Sequence, residues 1–233
     1  KATTAEAVAV EFTATTGLRD FSAYRMNFFT EFDGFRGEQP TQGTLGGLME
    51  ITRKPAAQHW SIAVDGNAFK ELALLGGGTE MYDVGDTIYI ENPADGSFIG
   101  MPAMFVESML PSEMYNPEDN IEMPVSAVLH PGEEVVNGVI TQRYTFGRDD
   151  LANNDSKLEN VEGTIWVAVD GNYVVKYEAV VTGEFDNLSA GNLKVLDEGT
   201  ITMVYDVSDV NGDFTISPPA NAKAINLTEL LFK

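Results

Sequence analysis

Hydrophobic and polar residues alternate along most of this chain with the two-residue period of half-buried β-strands. The pattern is longest near the end. Val161 to Gly171 and Tyr173 to Gly183 are two runs joined at Asp170-Gly171-Asn172, and Gly199 to Ser208 is a third. Thr215 to Ser217 then runs into Pro218-Pro219, a strand stop. Upstream, Phe21 to Phe32 puts Tyr24, Met26, Phe28 and Phe32 on one face. At about 3.3 Å per residue such a run spans roughly 40 Å, which predicts a strong bend or twist.

Further strands are predicted at Gly43 to Arg53, with Leu45, Met49 and Ile51 on one face, and at Ala57 to Val64, with Trp60, Ile62 and Val64. Gly46-Gly47 permits a bulge or a close approach. Thr79 to Val84 and Thr87 to Glu91 read as a hairpin around Gly85-Asp86. After the turn residues Asn137-Gly138, the residues Ile140, Gln142, Tyr144 and Phe146 alternate with Val139, Thr141, Arg143 and Thr145.

Two stretches follow a helical period instead. Ala5, Val8, Ala9 and Phe12 predict a short amphipathic helix over Thr3 to Thr15, capped by Thr3 or Thr4. Met101, Met104, Phe105, Val106, Met109 and Leu110 predict a methionine-rich helix over Met101 to Met114. Tyr115 to Pro131 is rich in Pro and acids and is expected to be loop. Nothing in composition divides residues 1–233, so one domain is expected. The predicted class is α+β: a strongly curved antiparallel sheet, a half-barrel of about nine to eleven strands, with helices covering its concave face.

Such a sheet with an apolar inner face is a container, and the aromatic and methionine positions name its wall. The candidate lining residues are Tyr24, Met26, Phe28, Met49, Ile51, Trp60, Ile62, Met104, Phe105, Met109, Tyr144, Phe146, Ile165, Val175, Tyr177, Met203 and Tyr205. Methionine is unbranched and adapts to varied shapes, which suits long apolar chains. Ordinary core packing would use the same residues. A one-residue error in register would turn any strand's set to the other face.

Charge narrows the partners. Acidic residues number 36 against 14 basic, a net of −22. That excludes binding to nucleic acid through its phosphates and docking on an anionic membrane through a basic patch. The absence of cysteine excludes disulfides, thiolate metal sites and cysteine nucleophiles. No run approaches the ~18 apolar residues that would span a bilayer.

Catalytic patterns are missing. His59 and His130 are far apart in sequence, and no metalloprotease, nucleophile-elbow or phosphate-loop motif occurs. The acidic pairs Glu133-Glu134 and Asp149-Asp150 are expected by chance in so acidic a chain. Asp209-Val-Asn-Gly-Asp213 starts like a calcium loop, but Phe214 and Ala220 stand where such a loop needs Gly and Glu, so a turn is expected. Asp149, Asp150, Asn153, Asn154 and Asp155 leave loose calcium binding open. No cofactor and no enzymatic activity are expected.

Three segments carry a family resemblance. Glu134 to Phe146, reading Glu-Val-Val-Asn-Gly-Val-Ile-Thr-Gln-Arg-Tyr-Thr-Phe, resembles a strand of the LppX/LprG family of mycobacterial lipoproteins. Thr164-Ile-Trp-Val-Ala-Val-Asp-Gly171 resembles a second strand of that family, and Thr200 to Pro219 its closing element. Thr44 to Pro55 and Asp86 to Ile90 match more loosely. The family is similar in fold to the LolA and LolB lipoprotein carriers. The resemblance implies an exported, cell-envelope protein that binds a lipid or acylated glycolipid in a half-barrel and carries or presents it. It also implies an acylated N-terminal cysteine, here expected to have preceded Lys1. Strong net charge favours a monomer. The alternative is a non-catalytic cell-surface interaction module without a ligand cavity.

Overall fold

The structure, a computed structural model, describes residues 7–13, 16–69, 78–104, 123–152, 157–185, 189–190 and 193–224. Its strands are β1 (Val8–Glu11), β2 (Ala23–Arg36), β3 (Gln39–Arg53), β4 (Ala56–Gly66), β5 (Gly78–Val84), β6 (Thr87–Glu91), β7 (Phe98–Pro102) and β8 (Ser126–Val136). They continue as β9 (Val139–Gly147), β10 (Leu158–Ala168), β11 (Val174–Glu184), β12 (Ser189–Ala190), β13 (Leu193–Lys194), β14 (Glu198–Ser208) and β15 (Ala222–Ala224). Thirteen of these make one sheet, ordered β1-β8-β9-β10-β11-β14-β2-β3-β4-β5-β6-β7-β15, and β12 pairs with β13 in a separate ribbon. The chain thus runs out two sequential meanders, β2 to β7 and β8 to β11 with β14. They are joined by the antiparallel β14–β2 pair.

The class is therefore all-β, and the α+β expectation is corrected. Among the described residues no α-helix covers a face of the sheet, and the short helical turns at Leu18–Asp20, Asn67–Phe69 and Arg148–Asp150 are 3₁₀. Val8 to Glu11, expected within a helix, is instead an edge strand paired residue by residue with Leu129 to Ser126. The physical reason is that Val8-Ala-Val-Glu also carries a β-branched alternation. Pairing with an open strand satisfies its backbone more fully than one or two helical turns would. Met101 likewise lies in β7, opposite Ile88, while Ala103 and Met104 begin a helical turn. Ser126 to Pro131, expected as loop, opens β8. Phe105 to Met114 lies outside the described residues.

Turn chemistry sets the hairpins. Asn137 and Gly138 have φ of 51° and 79°, the two left-handed positions of a two-residue type I′ turn between β8 and β9. A different use of glycine lets three strand backbones approach closely. Gly183, Gly199 and Gly34 are direct partners across β11, β14 and β2. Gly199 has φ of 145° and Gly183 of 156°, conformations that side chains rarely adopt. A methyl on Gly199 would collide with the carbonyl oxygen of Asp33, and one on Gly34 with that of Glu198. Glycines aligned across a sheet let it fold sharply at that line.

One contact reaches across several strands. The side-chain nitrogen of Asn137, in the β8–β9 turn, donates to Asp206 Oδ1 at 3.1 Å and to the Val207 carbonyl at 3.0 Å, both on β14. Four strand spacings separate β8 from β14, about 19 Å in a flat sheet. Only a rolled sheet or a folded-over hairpin brings them together.

Cross-strand register sorts the residues onto two faces. One is apolar and holds Tyr24, Met26 and Phe32 of β2, Met49 and Ile51 of β3, Trp60 of β4, Ile165 of β10 and Tyr205 of β14. The other carries Arg25, Glu50, His59, Glu162, Lys176, Glu178 and Asp206. The main core lies on the apolar face and is closed at one end by Leu18, Tyr173 and Phe21. A smaller core of Phe32, Ala68, Phe69, Val195, Leu196 and Ile201 closes the other end.

Candidate ligand-binding face

Fourteen of the seventeen residues singled out as lining fall on the apolar face: Tyr24, Met26, Phe28, Met49, Ile51, Trp60, Ile62, Tyr144, Phe146, Ile165, Val175, Tyr177, Met203 and Tyr205. Directly opposed residues of an antiparallel pair point the same way. The register chain Ile62–Gly47–Phe28–Tyr205–Tyr177–Ile165–Tyr144 therefore runs as one row from β4 to β9. Met104 is described and is 73% exposed, so it seals nothing. Phe105 and Met109 lie outside the described residues.

Aromatic rings in this face lean on glycines. Phe146 is the direct partner of Gly163, and Phe28 that of Gly47. A methyl on Gly163 would overlap the Phe146 ring, and one on Gly47 would come within 3.1 Å of Phe28 Cζ. Gly163 thus leaves room for the Phe146 ring, and Gly47 leaves room for both the Ser61 carbonyl and the Phe28 ring. From there Phe146 reaches Tyr177 (centroids 5.8 Å), and Tyr177 reaches Tyr205 (5.9 Å). Gly47 and Gly163 were not singled out as site residues. Their role depends on what stands opposite, and that is not written in either strand alone.

Accessibility divides the face. Tyr24, Met26, Ile165 and Val175 are fully closed to solvent and are core. Between the two core clusters, Phe28, Leu45, Ile62, Val64 and Met203 are only half-buried. They form a contiguous, incompletely covered apolar strip on β14, β2, β3 and β4. Leu45 and Val64 belong to it and were left out of the lining set.

Polar atoms punctuate the face. Burial raises the phenol pKa of Tyr205, opposed by its hydrogen bond with Thr30, and burial raises that of Tyr144. Both phenols stay neutral donors at physiological pH. Gln58 Oε1 and Thr79 Oγ1 are buried without a hydrogen-bond partner. Such an atom costs about 1–3 kcal/mol until one is supplied.

On the opposite face, His59 Nδ1 lies 2.8 Å from Glu50 Oε2, and its ring stacks on Tyr82 with centroids 4.2 Å apart. Arg25 joins Glu50 (2.6 Å) to Asp209 (2.5 Å) and lies 4.3 Å from the centre of the Phe214 ring. Asp209-Val-Asn-Gly-Asp213 is thus a turn, as its sequence predicts, and Asn211 Oδ1 ties it to Ser22 (2.9 Å). His130 bonds Thr145 at 2.9 Å, on a strand far from His59 in sheet order. Among the described residues no group of acids and histidines is placed to hold a metal ion.

Two depressions of about 290 Å³ each open at the same end of the sheet. One is lined by residues of β3 to β5, among them Ile51, Arg53, Gln58 and Asp83. The other is lined by Glu133, Val139, Ile140, Val169 and Asp170.

No family model matches the chain, and no curated protein matches it. A solved structure is similar to it. This is a crystal structure of a DUF1329 family protein from Desulfovibrio piger, 15% identical, covering 87% of this chain and 92% of that one. The TM-score is 0.25, and at that value the likeness carries no further conclusion.

Proposed function

We propose that this protein binds an acyl lipid on the half-buried apolar strip of its sheet and carries or presents it in the cell envelope, without catalysis. The observation that carries this reading is the strip itself: Phe28, Leu45, Ile62, Val64 and Met203, apolar yet incompletely covered, bounded by sealed core at both ends. Each methylene moved from water onto such a surface contributes about 0.8 kcal/mol. The adaptable Met203 side chain and the ring of Phe28 fit chains of varied length. Gln58 Oε1 and Thr79 Oγ1 would accept hydrogen-bond donors from the ligand's polar end. The resemblance of three segments to the LppX/LprG lipoproteins supports the same ligand class and an envelope location, with anchoring through an N-terminal lipid.

The test is native mass spectrometry of gently purified protein, followed by solvent extraction and addition of a fluorescent fatty-acid probe. A defined adduct in the mass range of acyl lipids, or saturable probe uptake, is expected. Phe28→Asp should abolish it and Phe29→Asp should not, because Phe29 is next in sequence but on the opposite face. A clean apo mass with no probe uptake would overturn the proposal. It would favour a second reading, a non-catalytic interaction module, to which the tight closure of Tyr24, Met26, Ile165 and Val175 also lends weight.

A further inference from the structure

Exposed apolar side chains gather at one corner of the molecule. Val135 is 72% exposed, Ile140 53% and Val169 50%. Val135 and Ile140 are direct cross-strand partners on β8 and β9, and Val169 N donates to the Ile140 carbonyl at 3.0 Å. Strands β8 and β9 and the turn after β10 thus present one aliphatic side chain each at the same place. Ile140, Val169 and the half-buried Val139 line the depression of about 290 Å³. Its remaining lining residues are Glu133 and Asp170, both exposed acids, and none of the five is basic.

The corner is held in shape. The Asn137-Gly138 turn fixes the hairpin tip, and the two hydrogen bonds from Asn137 to Asp206 and Val207 tie it to β14. A surface already ordered before binding loses little conformational freedom when a partner arrives.

Charge then selects the occupant. Another copy of this chain brings its own net −22 to an acidic rim and is repelled. An anionic lipid surface is repelled for the same reason. A segment that pairs aliphatic side chains with lysine or arginine meets both requirements, since its apolar side enters the depression and its cations meet Glu133 and Asp170. We infer that the Val135–Ile140–Val169 corner is a docking site for a cationic, aliphatic segment of a partner protein. The site shares no residue with the apolar strip, so it stands whether or not that strip holds a lipid.

Two fluorescein-labelled decapeptides of equal charge test it, one alternating leucine with lysine and one alternating serine with lysine. Binding to the whole protein is followed by fluorescence anisotropy. The leucine peptide is expected to bind at least about tenfold more tightly. The double variant Val135→Ser/Ile140→Ser should remove that preference, and Glu133→Gln/Asp170→Asn should weaken binding and flatten its salt dependence. All these side chains are exposed, so the variants should keep the parent's circular dichroism and melting temperature. Equal binding of the two peptides, or a leucine preference that survives Val135→Ser/Ile140→Ser, would overturn the inference. Binding weakened equally by Glu31→Gln/Asp65→Asn, acids on the polar face away from the corner, would show attraction to net charge alone and would also overturn it.

Discussion

At the scale of single residues, Glu50 is a carboxylate held by two partners, Arg25 and His59. Burial alone would raise its carboxyl pKa. Hydrogen bonds from Arg25 and His59 outweigh that, and the folded value falls below the ordinary 4.5. A depressed carboxylate adds stability that is fully present above its unfolded pKa and is lost as pH falls through the folded one. The stability difference between the parent and Glu50→Gln, measured by thermal melts against pH, should therefore be constant above pH 4.5 and shrink below it. A difference that grew on acidification would contradict the assignment. Neither this cluster nor its partner Asp209 was legible in the sequence. Glu50 and His59 are opposed only because β3 and β4 pair in one register, and Asp209 reaches Arg25 across the β14–β2 pair. What could be read was the apolar alternation: Tyr24, Met26 and Phe28 declare their shared face without any partner.

At the scale of elements, legibility followed length. The hairpin expected from Thr79 to Glu91 is present as β5 and β6, and the run expected from Phe21 to Phe32 is β2, shifted to Ala23–Arg36. Short windows misled. Ala5, Val8, Ala9 and Phe12 fit a helical face, yet the open side of β8 took Val8 to Glu11 as a strand. Strand length predicts a bend but no place for it, because three isolated glycines become a line only when their strands are aligned. The importance of that line can be measured. Gly199→Ala should cost at least about 2 kcal/mol in urea unfolding, from φ strain and collision with the Asp33 carbonyl. Gly147→Ala should stay within about 0.5 kcal/mol, since a methyl there meets nothing closer than the Val161 carbonyl oxygen at 3.5 Å. Equal costs would remove the glycine line from any account of the bend.

At the scale of the whole molecule, the order of strands separates local from distant pairing. Within each meander, neighbours in sequence are neighbours in the sheet. The β14–β2 seam instead joins Glu198 to Phe35 and Ser208 to Arg25. Closing so long a loop costs entropy before any ladder bond repays it. Pulse-labelled hydrogen exchange during refolding should protect amides of β3–β4 and β10–β11 before those that bond across the seam. Simultaneous or earlier protection of the seam would overturn this order.

The same seam bears on how the chain is made in a cell. The ribosome delivers β2 long before β14, and at about 5–20 residues per second the wait is on the order of ten seconds or more. Throughout that interval β2 offers one unpaired edge to whatever strand comes near. Glu31, Asp33 and Arg36 are carried by that strand, and charges on an unpaired strand discourage a stranger from pairing there. The nascent protein is thus most exposed to misassembly at what becomes the centre of its finished sheet.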